Sequence, residues 1–158
     1  MLLSPENFFP FPGKKGPARR WREVALPLAL ALVVSVFQGW PTPPPSPATL
    51  WEGVQREAAA ADLDPAFVWA IAHAESSLRV DAANGPARGL MQLTEPAWQQ
   101  VRDDHYLRAW DWQENLAAAC AYLAWCRQQL PPEAQDTARL AASSRYGPGA
   151  VRRANYDL

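Results

Sequence analysis

The sequence predicts an all-α fold, with one compact helical domain preceded by one N-terminal transmembrane or signal helix. Three observations lead to this prediction. The chain has 158 residues, of which 49% are apolar, enough to fold one domain of ordinary size. Apolar residues between 48 and 158 recur at helical spacing, and no useful strand-like alternation is present. An uncharged apolar run over residues 24–37 lies upstream, separated from this region by prolines.

The composition excludes several classes of function. A net charge of −1 argues against the strongly basic surface that general nucleic-acid binding needs. Two cysteines and two histidines are too few for a disulfide framework or a cysteine-rich zinc module, and they make a catalytic metal site improbable. We therefore expect no metal, no cofactor and no nucleic-acid partner.

The N-terminal segment has the pattern of a membrane or export signal. Residues 1–20 form a tail rich in proline, glycine and basic residues, and the apolar run follows between Trp21 and Trp40. A helix over residues 21–40 would span about 30 Å, the thickness of one hydrocarbon core. Since basic residues precede this run, the tail is expected to stay in the cytoplasm. Residues 41–47 (PTPPPSP) are typical of a semi-rigid extended linker.

Two interpretations of residues 21–40 place the following domain outside the cytoplasmic membrane. A signal anchor would leave the protein in the cell inner membrane as a single-pass protein with a periplasmic domain. A cleaved signal peptide would export the domain instead. The third interpretation, a buried core helix, fits the basic flank and the two tryptophans less well.

Helix-start signals divide residues 48–158 into five helices. In each case a capping residue precedes an acidic residue, a proline or an apolar stripe. The predicted starts are Thr49, Asp64, Thr94, Asp111 and Asp136. The second helix is expected to end near Leu78 and the fourth at Leu130, before a pair of prolines. Asn84-Gly85-Pro86 predicts a turn, and Gly147-Pro148-Gly149 is expected to end the last helix at Tyr146.

Glu75 is the residue in this domain that best fits catalytic chemistry. On a helical wheel it falls within the apolar arc of its own helix, which contains Phe67, Val68, Ile71 and Leu78. Glutamate is rarely buried without a partner, and desolvation keeps a carboxyl protonated nearer neutral pH. A general acid needs that property. The pattern is also consistent with a glutamate that turns to the helix edge or pairs with an arginine.

Several motifs resemble the lytic transglycosylase domain of the soluble type, which has a goose-type lysozyme-like fold. They occur in the family's order over about residues 50–154. The motifs are Ala72-His73-Ala74-Glu75-Ser76-Ser77-Leu78, Asn84-Gly85, Gly89-Leu90-Met91-Gln92-Leu93, Asn115-Leu116, Tyr122-Leu123, and Leu140-Ala141-Ala142 followed by Gly147-Pro148-Gly149-Ala150-Val151. Each motif alone is weak, but their order makes the resemblance specific.

The resemblance implies that residues 48–158 form a catalytic domain acting on the glycan strands of peptidoglycan. Family members cleave the bond between N-acetylmuramic acid (MurNAc) and N-acetylglucosamine (GlcNAc). They use a single glutamate, first as acid and then as base, and leave a 1,6-anhydro-MurNAc end. Glu75 matches that glutamate. Most glycosidases instead need two carboxylates, and no second acidic residue stands out from its surroundings as Glu75 does.

The resemblance also implies a set of substrate-binding residues. Ser76 is expected to hydrogen-bond the Glu75 carboxyl. Met91 and Gln92 are expected to line the cleft at the start of a helix, and Tyr122 and Tyr146 to bind the substrate. Where the family has Tyr-Asn before its Ala-Gly-Pro-Gly segment, this chain has Ser144-Arg145, and Tyr146 stands in place of the alanine. Tyr146 reaches the site of the family's tyrosine only if the chain is no longer helical at that point.

Two other functions fit the same sequence features. One is a goose-type-like lysozyme that hydrolyses the same bond with water. The other is an inactive peptidoglycan-binding module of an envelope-spanning machine. The expected partners are peptidoglycan strands and, through residues 21–40, the cytoplasmic membrane. By analogy, secretion, conjugation or phage machinery could use such a domain.

Overall fold

The computed structural model describes residues 43–156, and this part of the chain is mostly helical. This confirms the all-α prediction for the domain. The predicted basic tail (1–20) and the predicted transmembrane or signal helix (21–40) lie outside the described residues. Within residues 43–156, no helix combines the length and hydropathy that a membrane span requires.

Six α-helices make up the described part of the chain. They are α1 (Pro47–Ala60), α2 (Pro65–Ser76), α3 (Glu95–Gln99), α4 (Trp112–Gln129), α5 (Thr137–Tyr146) and α6 (Pro148–Arg153). Two short 3-10 helices, Tyr106–Trp110 and Pro132–Ala134, connect them. A small antiparallel hairpin pairs β1 (Ala83–Asn84) with β2 (Ala87–Arg88) around the predicted turn.

Capping side chains set most of the helix starts. Asp64 accepts a hydrogen bond from the Ala66 backbone N–H, Asp111 from those of Gln113 and Glu114, and Asp136 from that of Arg139. The three predicted starts at these aspartates are confirmed. Such bonds satisfy backbone donors that have no partner within the helix.

The start of α1 differs from the prediction. The N-cap is Ser46, whose Oγ accepts from the Thr49 N–H at 3.1 Å, and Pro47 is the first helical residue. The capping box expected at Thr49 is wrong, because Ser46 and Pro47 form an N-cap and N1 pair inside the segment interpreted as a linker. Helix α1 thus begins before the predicted boundary at residue 48.

Helix α4 is the centre of the fold. It packs against α1, α3, α5 and the 3-10 helix Tyr106–Trp110. Leu116, Cys120, Leu123 and Leu130, which recur at helical spacing, are buried. Cys120 and Cys126 are free thiols. Six residues apart on one helix, they are too far from each other to form a disulfide. Because α4 is covered on several sides, the segments packed against it are held in fixed positions.

Two further predictions about the chain are corrected. Helix α2 ends at Ser76 rather than near Leu78, because Ser77 and Leu78 take left-handed backbone conformations with φ of 53° and 64°. Gly147 does end α5, but Pro148 then starts the short α6, a helix that was not predicted. The close succession of α5 and α6 brings Ser144, Arg145 and Pro148 to one cleft.

Candidate active site

A cleft of about 520 Å³ lies among α2, α3, α4 and the junction of α5 and α6. Its lining combines apolar side chains with a few polar ones. The polar and aromatic side chains include Glu75, Gln92, Thr94, Gln100, Tyr122, Trp125, Ser144 and Arg145. Clefts of this size and composition are typical of ligand-binding sites.

Glu75 lies on the wall of this cleft, at the edge of the buried face of α2. The fully buried residues of α2 are Val68 and Ala72, and Ser76 continues their line at 8% exposure. Glu75 is adjacent to this line, and its side chain is 29% exposed. The expected burial of Glu75 among core side chains is therefore wrong in degree, because the core stripe is centred on Ala72. The carboxyl is partly shielded yet open to a ligand.

The charge nearest to Glu75 is a guanidinium. Nη1 of Arg145 lies 3.7 Å from Oε1 of Glu75, and the Arg145 side chain is 64% exposed. Among the described residues that line the cleft, these two are the charged ones. The pattern around Glu75 left a pairing with an arginine open, but it did not identify which one. Arg145 follows Glu75 by seventy positions, so only the tertiary fold shows the pair.

Ser76 is not placed to hydrogen-bond Glu75. Its Oγ donates to the carbonyl of Ala72 at 3.1 Å, and its side chain is buried beneath α2 rather than lining the cleft. Serine in a helix commonly bonds back to the preceding turn in this way. The expected contact between Ser76 and the Glu75 carboxyl is thus absent.

Met91 and Gln92 do line the cleft, but no helix begins there. Residues 89–92 form a turn, and the next helix starts only at Glu95. Gln92 has a φ of 47°, and its Nε2 donates to the carbonyls of Ala82 at 3.0 Å and Gly89 at 2.9 Å. With its amide nitrogen committed to the turn, the side-chain oxygen is the group that Gln92 can offer to a ligand.

Asn115 holds this turn in place from the buried face of α4. Its Oδ1 accepts from the Met91 N–H at 2.8 Å, and its Nδ2 donates to the carbonyls of Arg88 and Ala109. Gly89 packs directly against it. A Cβ on Gly89 would lie 2.6 Å from both the Ala109 oxygen and the Asn115 amide nitrogen, at a φ of +73°. The position of this part of the cleft wall therefore depends on the side-chain amide of Asn115, which follows Met91 by 24 residues.

Two aromatic side chains form another part of the wall. Tyr122 and Trp125 stack with ring centres 5.6 Å apart and planes 17° from parallel. Burial raises the pKa of Tyr122 to about 12 from an ordinary value of 10.0. The hydroxyl is neutral at physiological pH with either value, so it can donate a hydrogen bond. Tyr122 was predicted as a site residue, whereas Trp125 was not singled out for the site. Aromatic faces of this kind suit the apolar faces of sugar rings.

The structure does not bring Tyr146 into the cleft. Its side chain is 67% exposed and is absent from the lining, whereas its neighbours Ser144 and Arg145 line it. Helix α5 continues through Tyr146, so two residues of helical rotation turn Tyr146 away from the side that Ser144 presents. The Ser144 hydroxyl donates to the carbonyl of Ala141.

A comparison with protein-family models shows which family this architecture represents. The model of the transglycosylase SLT domain matches residues 52–157, about two thirds of the chain. The chain belongs to the transglycosylase SLT domain family. None of the curated proteins compared with it matches. The family match confirms the resemblance seen in the motifs.

Membership in the transglycosylase SLT domain family gives the cleft a functional context. The match supports a peptidoglycan-cleaving function of the lytic transglycosylase type, with peptidoglycan as the bound polymer. It includes Glu75 and all of the cleft-lining residues described above. No cluster of three potential metal ligands occurs in the described part of this SLT domain.

Proposed function

We propose that this SLT domain is a lytic transglycosylase that cleaves the MurNAc–GlcNAc bond and leaves 1,6-anhydro-MurNAc ends. One observation carries this proposal: among the described residues lining the cleft, Glu75 is the one carboxylate. A glycosidase of the common type needs a second carboxylate across the bond to activate water or form a covalent intermediate. An intramolecular nucleophile from the substrate removes that need.

In the proposed reaction, Glu75 acts twice. The protonated carboxyl donates its proton to the glycosidic oxygen as the bond from that oxygen to C1 of the MurNAc residue breaks. The C6 hydroxyl of the same MurNAc then attacks C1, and the Glu75 carboxylate takes up the hydroxyl proton. The proton balance closes at Glu75, and no water is consumed. Partial exposure of Glu75 supports this role, because the carboxyl must meet the glycosidic oxygen.

The remaining cleft residues would orient the glycan. Gln92 offers its side-chain oxygen to an N–H or hydroxyl of the sugar, and Met91 contributes apolar surface at the same turn. The ring of Tyr122 offers a stacking face beside a neutral hydroxyl. Fixing the sugar against this wall would hold the C6 hydroxyl close to C1, which favours the intramolecular reaction.

The products of digestion test the reaction type. We expect purified full-length protein to release muropeptides with anhydro ends from isolated sacculi, as measured by mass spectrometry. Reducing ends in their place would identify a hydrolase of the goose-type lysozyme kind. Binding of sacculi without any release would identify a non-enzymatic peptidoglycan-binding module.

We further propose that residues 21–40 anchor the domain at the outer face of the cytoplasmic membrane. The support is the apolar run 24–37 with basic residues before it. A reporter enzyme that is active only outside the cytoplasm, fused after Leu158, should be active and remain with the membrane fraction. An active but soluble reporter would indicate a cleaved signal, and an inactive reporter would contradict export.

A further inference from the structure

Arg145 is the cation of the cleft, and it is paired with the proposed acid. Its Nη1 lies 3.7 Å from Oε1 of Glu75, although the side chain is 64% exposed. The guanidinium also lies 5.8 Å from the ring centre of Tyr146. Arg145 stands in the last turn of α5, just before the cleft-lining Gly147 and Pro148. A ligand entering the cleft would therefore meet this guanidinium.

The pair seen in the free protein is loose. The contact is weak, because the 3.7 Å between Nη1 of Arg145 and Oε1 of Glu75 exceeds the usual N–H···O distance of about 3 Å. A pair with one largely exposed partner contributes little stability. An incoming anion can therefore displace Glu75 from Arg145 at low cost.

The substrate class carries such an anion. The muramoyl residues of peptidoglycan bear a lactyl group linked to a short peptide with free carboxylates, whereas a strand of GlcNAc alone has none. A guanidinium and a carboxylate can form two parallel hydrogen bonds, a stronger arrangement than the single long contact with Glu75. The positive charge of Arg145 thus favours binding of the muramoyl residue and its peptide over binding of GlcNAc.

We propose that Arg145 is a specificity-determining residue that binds a carboxylate of the peptidoglycan substrate. This inference rests on the proposed cleavage of glycan strands. It assigns to Arg145 the recognition of the acidic substituent on the muramoyl residue. Binding of the substrate carboxylate would separate Arg145 from Glu75, because the same guanidinium cannot fully serve both carboxylates.

The test compares two forms of one substrate. Native sacculi are compared with sacculi whose carboxylates have been converted to neutral amides by carbodiimide coupling. The values of kcat/KM are measured for wild-type full-length protein, Arg145→Gln, Arg145→Lys and Arg56→Gln. Arg56 is the matched control, since its side chain is 62% exposed and lies outside the cleft lining.

For wild type and Arg56→Gln, kcat/KM is expected to be about tenfold or more higher on native sacculi than on amidated sacculi. That ratio corresponds to the loss of one charge-assisted hydrogen-bonded contact. In Arg145→Gln the preference should fall to within about twofold. Arg145→Lys should restore part of it, because the charge remains without the planar fork. A residue with a purely structural role would lower kcat/KM on both substrates by the same factor.

Two results would overturn the inference: equal rates of the wild type on both substrates, or an unchanged preference in Arg145→Gln. Absence of cleavage by the wild type on either substrate would refute the proposed function instead. In that event, dissociation constants for native and amidated sacculi, measured by co-sedimentation with the same variants, decide the role of Arg145. Loss of the binding preference in Arg145→Gln would support carboxylate recognition, and its retention would refute it.

Discussion

At the scale of single residues, the fully buried amide of Asn115 supports the cleft wall through three hydrogen bonds to backbone groups. It accepts from the Met91 N–H within the turn at residues 89–92, and it donates to the carbonyl of Arg88, just before the turn, and to that of Ala109 in the 3-10 helix Tyr106–Trp110. Buried backbone groups without partners are costly, since each loses its hydrogen bonds to water. The position of Met91 on the cleft wall thus follows from this one side chain.

Replacement of Asn115 by leucine, which is similar in volume, should lower the free energy of unfolding by about 2 kcal/mol or more, because the Met91 N–H and the Ala109 carbonyl lose their side-chain partner, while the Arg88 carbonyl keeps its bond from the Leu93 N–H. Urea denaturation monitored by circular dichroism measures the loss. The control is Asn84→Leu, at an exposed site in the hairpin, where a change within about 0.5 kcal/mol is expected. Similar losses in the two variants would contradict the role given to Asn115.

The two thiols give a prediction about pH. Burial raises the pKa of Cys120 to about 12 and that of Cys126 to about 11, from an ordinary value of 9.0. The folded protein therefore keeps both protons at pH 10, where the unfolded chain loses them. The contribution of the thiols to stability is complete below pH 9 and declines as pH rises through 11 to 12.

Alkylation provides the measurement. At pH 8 the folded protein should react with iodoacetamide about a hundredfold more slowly than the urea-unfolded chain, because the buried thiols are almost entirely protonated. Rapid alkylation of native protein would contradict the described burial of α4.

At the scale of elements, the backbone of the turn at residues 89–92 decides which side chains reach the cleft. Gly85 and Gly89 both have positive φ, but their surroundings differ. A Cβ at Gly85 meets nothing within 4 Å, whereas one at Gly89 meets the Ala109 carbonyl and the Asn115 amide at 2.6 Å. Substitutions at Gly85 and Gly89 therefore distinguish the cost of backbone strain from the cost of steric overlap.

Gly89→Ala should be more destabilising than Gly85→Ala by about 2 kcal/mol or more. Both substitutions carry the cost of a left-handed alanine, about 1 kcal/mol, and only Gly89→Ala also displaces Asn115. Thermal or urea unfolding of the two variants tests the difference. Gly89→Ala should also reduce sacculus cleavage, because Met91 and Gln92 move with the turn. Equal stabilities would show that the turn is less tightly packed than described.

The same elements show how far sequence can predict this fold. The caps at Asp64, Asp111 and Asp136 are local signals, and each was predicted correctly. No helix starts at Met91, although one was predicted there, and Arg145 pairs with Glu75. Both features depend on contacts between residues that are far apart in the sequence. A capping pattern contains no information about those contacts. Glu75 was predicted as a candidate acid because a carboxyl near an apolar stripe conflicts with the local pattern of its helix. Such conflicts are common at functional sites.

At the scale of the whole molecule, residues 44–158 form a compact unit by their backbone contacts. A fragment covering this unit should fold cooperatively and cleave sacculi. A fragment of residues 48–158 lacks the Ser46 cap and Pro47, and it should be less stable by about 1 kcal/mol. Urea denaturation of both fragments measures this difference. Equal stability would show that the first turn of α1 contributes little.

The central claim is that Glu75 is the single acid and base of a glycan-cleaving cleft. The most direct measurement is the rate at which Glu75→Gln releases anhydro-muropeptides from sacculi, compared with the wild type, with co-sedimentation as a check on binding. We expect the variant to bind sacculi but to release products at least about a hundredfold more slowly, because an amide cannot transfer the proton. Release at close to the wild-type rate would contradict the assignment of Glu75 and the proposed mechanism with it.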